Sequence, residues 1–211
     1  MILPRFYPIL DTGVALKNDV DPVNAAEQIL DAGTRILQFR HKAFLSREAF
    51  GWLERIAELT RTAGATLVIN DRADLAKLFS AALHLGQDDL SPTSARNVVG
   101  CDTMIGFSTH NEAQLLAAGE EPADYLALGP LFGTVTKVNP DATVGLDEFR
   151  RLRPLSKRPL VAIGGITRAN ALQALEAGAD SLAILSDLFP DDGNIRARAE
   201  EWMRITSPGG P

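Results

Sequence analysis

Short apolar runs, often β-branched, recur from one end of the chain to the other: FYPIL (6–10), RILQF (35–39), ATLVI (65–69), ALHLG (82–86), TMIGF (103–107), YLALG (125–129), PLVAI (159–163) and SLAIL (181–185). Each has the length and composition of a β-strand, because branched and aromatic side chains pack well on a pleated surface. Between them lie longer stretches in which polar and apolar residues mix at helical spacing. The helical stretches carry their own punctuation. Ala32-Gly33, Ala63-Gly64, Ala118-Gly119 and Ala177-Gly178 stand shortly before the next strand, where glycine permits the left-handed stop of a helix. Asp21-Pro22, Ser46, Ser91-Pro92 and Thr167 offer N-cap or first-turn chemistry at the opposite ends.

The repeating unit is strand, loop, capped helix, glycine stop. Eight such strands predict an α/β fold of one domain, a (β/α)8 TIM barrel over residues 1–206, with SPGGP (207–211) as a disordered tail. A doubly wound open sheet is the competing topology. It is disfavoured because DTGVALKND (11–19) stands after the first strand where a dinucleotide-binding sheet would carry GxGxxG.

Composition narrows the function. With 45% apolar residues in 211, the chain can build a substantial core. Its 21 basic and 27 acidic residues, net −6, argue against a nucleic-acid surface, which needs a basic face. Cys101 is the only cysteine, so an internal disulfide and a cysteine-built zinc site are both excluded. The opening MILPRFYPILD has Pro4 and Pro8 and no long apolar segment, which predicts neither a secretory signal nor a membrane span. A cytoplasmic enzyme acting on small molecules is expected, with self-association left open.

Polar residues capable of handling a diphosphate cluster where the apolar runs stop, and in a barrel all strand C-termini open on one face. Gln38, Arg40 and Lys42 alternate, so period two puts them on one side if the extended conformation continues past Phe39. Taken alone, the two cations could equally be solvated loop charges. Asp71 and Asp89 close two successive units, and hard oxygen ligands of this kind suit Mg²⁺, which completes its shell with water and phosphate oxygens. Asp88 competes with Asp89 for that role, and Asp71 could instead cap the helix that follows it. Ser108 lacks the G-x-S-x-G elbow of a hydrolase, so it reads as a hydrogen-bond partner of phosphate or as an N-cap. His41, His84 and His110 show no metal-binding spacing and are expected in structural or polar-pocket roles. The Gly- and Thr-rich segment 129–146 reads as a substrate loop whose chemistry resides in Thr134, Thr136 and Lys137. Gly164-Gly165 and Ser186 follow the last two strands, where many barrels hold a phosphate; a tight turn is the plainer account of the glycines, but a double glycine followed by Thr167 opening a helix favours anion binding.

The order and spacing of QFRHK (38–42), NDR (70–72), HLGQDDL (84–90), GFSTH (106–110), DYLALGPLFGTVTK (124–137), IGGI (163–166) and GADSLAILS (178–186) resemble the thiamine-phosphate synthase (thiamine-phosphate pyrophosphorylase) family over nearly the whole chain. The resemblance implies a transferase of thiamine biosynthesis. Such an enzyme condenses hydroxymethylpyrimidine diphosphate with hydroxyethylthiazole phosphate, giving thiamine phosphate and pyrophosphate by Mg²⁺-assisted dissociative loss of the diphosphate. It further implies that Gln38, Arg40, Lys42, Asn70, Ser108 and Lys137 bind the pyrimidine diphosphate. Asp71 and Asp89 would hold Mg²⁺, while Thr134, Thr136, Gly165, Leu185 and Ser186 would hold the thiazole phosphate. Arg40, Lys42, Ser108 and Lys137 would act on the departing group. The chain departs from the family pattern at Leu10 (commonly Thr), His41 (commonly acidic) and Gly133 (commonly Pro). Two rivals share the barrel: a thiazole tautomerase-like isomerase, against which the retained Asp71, Asp89, Arg40 and Lys137 argue, and a non-catalytic barrel binding thiamine precursors.

Overall fold

Eight parallel strands close on themselves in sequence order, so that the first pairs with the last as well as with the second. They are β1 (Phe6–Asp11), β2 (Ile36–Arg40), β3 (Thr66–Asn70), β4 (Ala82–Leu85), β5 (Ile105–Thr109), β6 (Tyr125–Leu128), β7 (Leu160–Ile163) and β8 (Ser181–Ile184). The computed structural model describes residues 3–133, 141–190 and 192–207. The helices are α1 (Thr12–Lys17), α2 (Pro22–Asp31), α3 (Arg47–Thr62), α4 (Ala73–Leu78), α5 (Pro92–Val99), α6 (Glu112–Glu120), α7 (Leu146–Leu152), α8 (Ala171–Glu176) and α9 (Ile195–Thr206). This is the expected (β/α)8 barrel.

Alternation along each strand divides the apolar residues into two populations. Tyr7, Ile9, Ile36, Val68, Ala82, Tyr125, Ala127, Val161 and Ala183 form one cluster, which fills the barrel interior. Their neighbours in sequence, among them Phe6, Leu10, Leu37, Phe39, Leu67, Ile69, Leu83 and Leu126, join a larger cluster with the helices. The C-terminal helix α9 seals this outer layer through Trp202, which is fully buried and stacks on Phe6 with ring centroids 6.0 Å apart.

Local chemistry accounts for most of the element boundaries. Asp21, Ser46 and Ser91 each accept a backbone N–H in the first turn of α2, α3 and α5. Gly33, Gly64 and Gly178 carry φ of 91°, 62° and 102° immediately after the ends of α2, α3 and α8, the left-handed stops expected of them. Two expected signals do not hold. Gly119 lies inside α6, which ends in extended backbone at Glu121. Thr167 does not open a helix: its amide is taken by Asn170 Oδ1, 2.8 Å away, and α8 starts only after Asn170. The fifth strand also begins two residues later than the apolar run, at Ile105. The Arg96 guanidinium gathers the carbonyl oxygens of Gly100, Cys101 and Thr103 and bends the chain before the strand can start. Among the described residues, no helix is long and apolar enough to cross a membrane. Of the expected tail, only Ser207 is described; 208–211 lie outside the described residues.

Candidate functional site

The C-terminal ends of the strands surround a cavity of about 410 Å³. Gln38, Arg40, Lys42, Asn70, Asp71, Asp89, Ser108, Gly165, Leu185 and Ser186 all line it, so ten of the thirteen residues expected at the site meet at one mouth. Thr134, Thr136 and Lys137 lie outside the described residues. The strand β2 ends at Arg40, which places Gln38 and Arg40 on one face by alternation, and Lys42 reaches the same cavity from the loop beyond.

Charges at the mouth are organised around carboxylates. Arg40 pairs with Asp11, whose other oxygen accepts the Val14 amide at 2.9 Å and so caps α1. Lys42 Nζ stands 2.5 Å from Asp71 Oδ2. Asp71 is not a cap: the residue before α4 is Arg72, and α4 has no side-chain cap. Instead Asp71 holds φ at 66°, a conformation uncommon outside glycine, and donates its amide to the His84 carbonyl at 2.8 Å. Asp89 Oδ2 accepts the Gly86 amide at 2.7 Å. Burial, followed by the neighbouring Asp71 carboxyl, pushes the Asp89 carboxyl above the ordinary carboxylate range. Asp88 also reaches the cavity but is exposed, so Asp89 is the carboxylate set against Asp71.

Two adjacent carboxylates, with Lys42 as the nearby compensating charge, are suited to a divalent cation. Among the described residues no group of three or more His, Cys, Asp or Glu side chains could form an all-protein cage. The hard carboxylate oxygens of Asp71 and Asp89 fit Mg²⁺, which keeps waters and phosphate oxygens in its shell.

Beneath the carboxylates the barrel interior is polar. Ser108 Oγ is 2.9 Å from His84 Nε2, and His84 Nδ1 is 2.9 Å from Tyr125 Oη. Tyr125 Oη is 2.8 Å from Tyr7 Oη, which receives Gln38 Nε2 at 2.8 Å. Burial drives the His84 imidazole down to about 4, against the opposing pull of Asp71, so it is neutral at pH 7. Ser108 is not an N-cap; it belongs to β5, and Asn111 caps α6. Asn70 Nδ2 is buried without a hydrogen-bond partner among the described residues, a donor beside the cavity that asks for an acceptor.

Tyr7, Tyr125 and Asp11 were not singled out as site residues by sequence. A signal for the tyrosines exists in period two: Tyr7 shares a strand face with Ile9 and Asp11, and Tyr125 with Ala127, so their hydroxyls enter the barrel. His41 is structural, with Nδ1 2.7 Å from Thr12 Oγ1, Nε2 3.1 Å from the Phe44 carbonyl and the ring stacked on Phe39. His110 holds the Gly129 carbonyl through Nδ1 at 2.6 Å, and its Nε2 is 3.6 Å from Asp141.

Across the mouth, Gly164 and Gly165 adopt φ of 94° and 63°. A Cβ on Gly164 would lie 2.5 Å from Pro130 Cβ, and one on Gly165 would lie 2.4 Å from the Gly133 carbonyl oxygen. The double glycine thus has a packing reason, close approach of the segment after β6, in addition to presenting backbone at the cavity wall. Strands β3 and β7 stand opposite each other in the eight-strand ring, so the carboxylate cluster and the glycine wall face one another.

A family described as "Thiamine monophosphate synthase" matches residues 6–188. A thiamine-phosphate synthase of Koribacter versatilis is 44% identical over 208 residues, covering 96% of each chain. That of Chloroflexus aurantiacus is 36% identical over 204 residues, covering 96% of this chain and 93% of its own. Among solved structures, a thiamine phosphate pyrophosphorylase from Pyrococcus furiosus superposes with a TM-score of 0.83 at 29% identity, covering 96% of this chain and 95% of that one.

Proposed function

The chain belongs to the thiamine monophosphate synthase family, and we propose that it joins hydroxymethylpyrimidine diphosphate to hydroxyethylthiazole phosphate, forming thiamine phosphate and releasing pyrophosphate. The observation that carries this reading is the pairing of two anion-directed walls in one cavity: Arg40, Lys42, Asp71 and Asp89 on one side, Gly165, Leu185 and Ser186 on the other. A reaction between a diphosphate and a monophosphate needs two such walls.

The carbon–oxygen bond between the pyrimidine methylene and the diphosphate breaks, its electron pair leaving with pyrophosphate. The thiazole nitrogen then supplies the pair for the new carbon–nitrogen bond. The aminopyrimidine can spread positive charge on its methylene, so no protein nucleophile is required and the main task is to stabilise the leaving group. Asp71 and Asp89 are the residues that would hold Mg²⁺. When bound, the ion would neutralise charge developing on the diphosphate. Arg40 and Lys42 bring positive charge to the same wall, Asn70 offers its Nδ2, unpartnered among the described residues, and Ser108 offers a hydroxyl. Lys137 joins this group on family resemblance. The wall at Gly165, Leu185 and Ser186, with Thr134 and Thr136 by the same resemblance, holds the thiazole phosphate so that its nitrogen faces the methylene. Charge balance and the single exposed Cys101 suit a cytoplasmic enzyme with small-molecule substrates.

The test is turnover. Purified protein with Mg²⁺ and both substrates should yield pyrophosphate and thiamine phosphate in equal amounts. If calorimetry showed both substrates bound while neither product formed, the synthase reading would fail and a precursor-binding barrel would replace it.

A further inference from the structure

The interior chain from Gln38 to Ser108 has a direction. An amide nitrogen can only donate, so Tyr7 Oη accepts from Gln38 Nε2 and has its own single proton left for Tyr125. Tyr125 Oη, having accepted, gives its proton to His84 Nδ1. With Nδ1 an acceptor, the ring carries its proton on Nε2 and donates it to Ser108 Oγ. This assignment uses every polar hydrogen the contacts can accommodate, as buried polar groups require. It leaves one proton over, that of the Ser108 hydroxyl, which lines the cavity.

We infer that the chain Gln38–Tyr7–Tyr125–His84 fixes the polarity of Ser108, making its hydroxyl an obligate donor toward an acceptor in the mouth, with Tyr125 and His84 as positioning residues. Building on the synthase reading, that acceptor is an oxygen of the diphosphate. Both His84 nitrogens are engaged, so the ring is an orienting group and has no free site for taking a proton from substrate. Gly106 is part of the same construction. It is the register partner of both His84 and Tyr125, and a Cβ there would sit 2.0 Å from Tyr125 Cζ, so its missing side chain is the space through which the tyrosine reaches the histidine.

The direct test needs no substrate. In ¹⁵N-labelled protein at neutral pH, two-bond nitrogen–proton spectra should show His84 with a protonated Nε2 and an acceptor-type Nδ1, the signals identified by their loss in His84→Gln. A protonated Nδ1 would reverse the chain, turn Ser108 into a donor toward His84, and overturn the inference. Kinetics give a second test. Tyr125→Phe removes the donor to Nδ1 and should lower kcat by about tenfold while leaving the KM values within about twofold, a loss confined to the transition state. His84→Gln can place a donor where Nε2 stood, and should recover most of the kcat that His84→Asn loses. Equal losses in the two His84 variants would refute the positioning role. Because the tautomer is read without turnover, a protein lacking synthase activity but showing the expected tautomer would sink the proposed function and leave this inference standing.

Discussion

Gly106→Ala should damage this protein far more than a single added methyl suggests. The new Cβ would lie 2.0 Å from Tyr125 Cζ and 2.4 Å from both Cε2 and Oη. Carbon atoms settle at about 3.5–4.0 Å, so the ring must retreat by roughly 1.5 Å. Tyr125 has no exposed surface, with Tyr7 set edge-on to it and His84 stacked against it. Its hydroxyl bonds of 2.8 and 2.9 Å cannot survive that retreat. Overpacking costs about 1–3 kcal/mol, and stranding buried hydroxyl partners adds about 1–3 kcal/mol for each group left unsatisfied. A loss of about 3–5 kcal/mol is a large share of the 5–15 kcal/mol typical of a domain. At about 2–4 °C per kcal/mol for this size, Tm should fall by roughly 6–20 °C. Thermal unfolding followed by circular dichroism measures this, with Gly119→Ala as the control. Gly119 lies in α6 with nothing within 4 Å of its Cβ position, so alanine there should raise Tm slightly through helix propensity. A Gly106→Ala protein melting within about 2 °C of wild type would refute the packing argument.

Three further outcomes are expected. Asp89→Asn should abolish Mg²⁺-dependent pyrophosphate release yet raise Tm at pH 7 in EDTA, because a carboxyl pushed upward by burial and Asp71 costs stability when ionised. That gain should vanish as pH falls through the ordinary carboxylate range, where wild-type Asp89 is protonated too; a gain that persists at low pH would reject the cause assigned. Gly165→Ala forces a side chain into φ of 63° and against the Gly133 carbonyl, so calorimetry should show weaker thiazole phosphate binding together with a lower Tm; an unchanged Tm would mean the loop does not rest on this glycine. Lys42→Met removes an ion pair whose lysine is 53% exposed, so stability to urea should change by less than about 1 kcal/mol. Its pyrophosphate release should drop at saturating Mg²⁺, and wild-type rates would make Lys42 a bystander.

What could be read from sequence follows from period. A strand's two-residue repeat and the rule that barrel strands open on one face suffice to collect Gln38, Arg40, Asn70, Asp71, Asp89 and Ser108 at one mouth, and the cavity contains all six. Helix ends were legible where one residue decides them, as with Ser46 or Gly64. They differ from the reading where neighbouring residues compete for the same boundary. Gly119 is carried through by its helix, Thr167 gives way to Asn170, and the start of β5 is set by Arg96 reaching across a bend. None of these is decided by a single residue.

The interior chain was hidden for a different reason. In FYPIL and YLALG a tyrosine reads as one more apolar strand residue, and nothing nearby announces a partner for its hydroxyl. The partners lie 118 residues away in Tyr125, 31 away in Gln38 and, for Tyr125, 41 away in His84. Only closure of the barrel brings β1, β2, β4 and β6 around one axis. Yet a burial argument reaches them in reverse. Gln38 and His84 are almost fully buried, and a neutral amide and imidazole inside a barrel must find hydrogen-bond partners. Their candidates are the inward-facing tyrosines. The polar core thus follows from two polar residues that alternation places in the interior, and Gly106 follows from the tyrosine that must cross its position to reach the histidine. Closing a barrel around these groups makes their mutual satisfaction a condition of folding and, at Ser108, a means of orienting the hydroxyl proposed to meet the substrate.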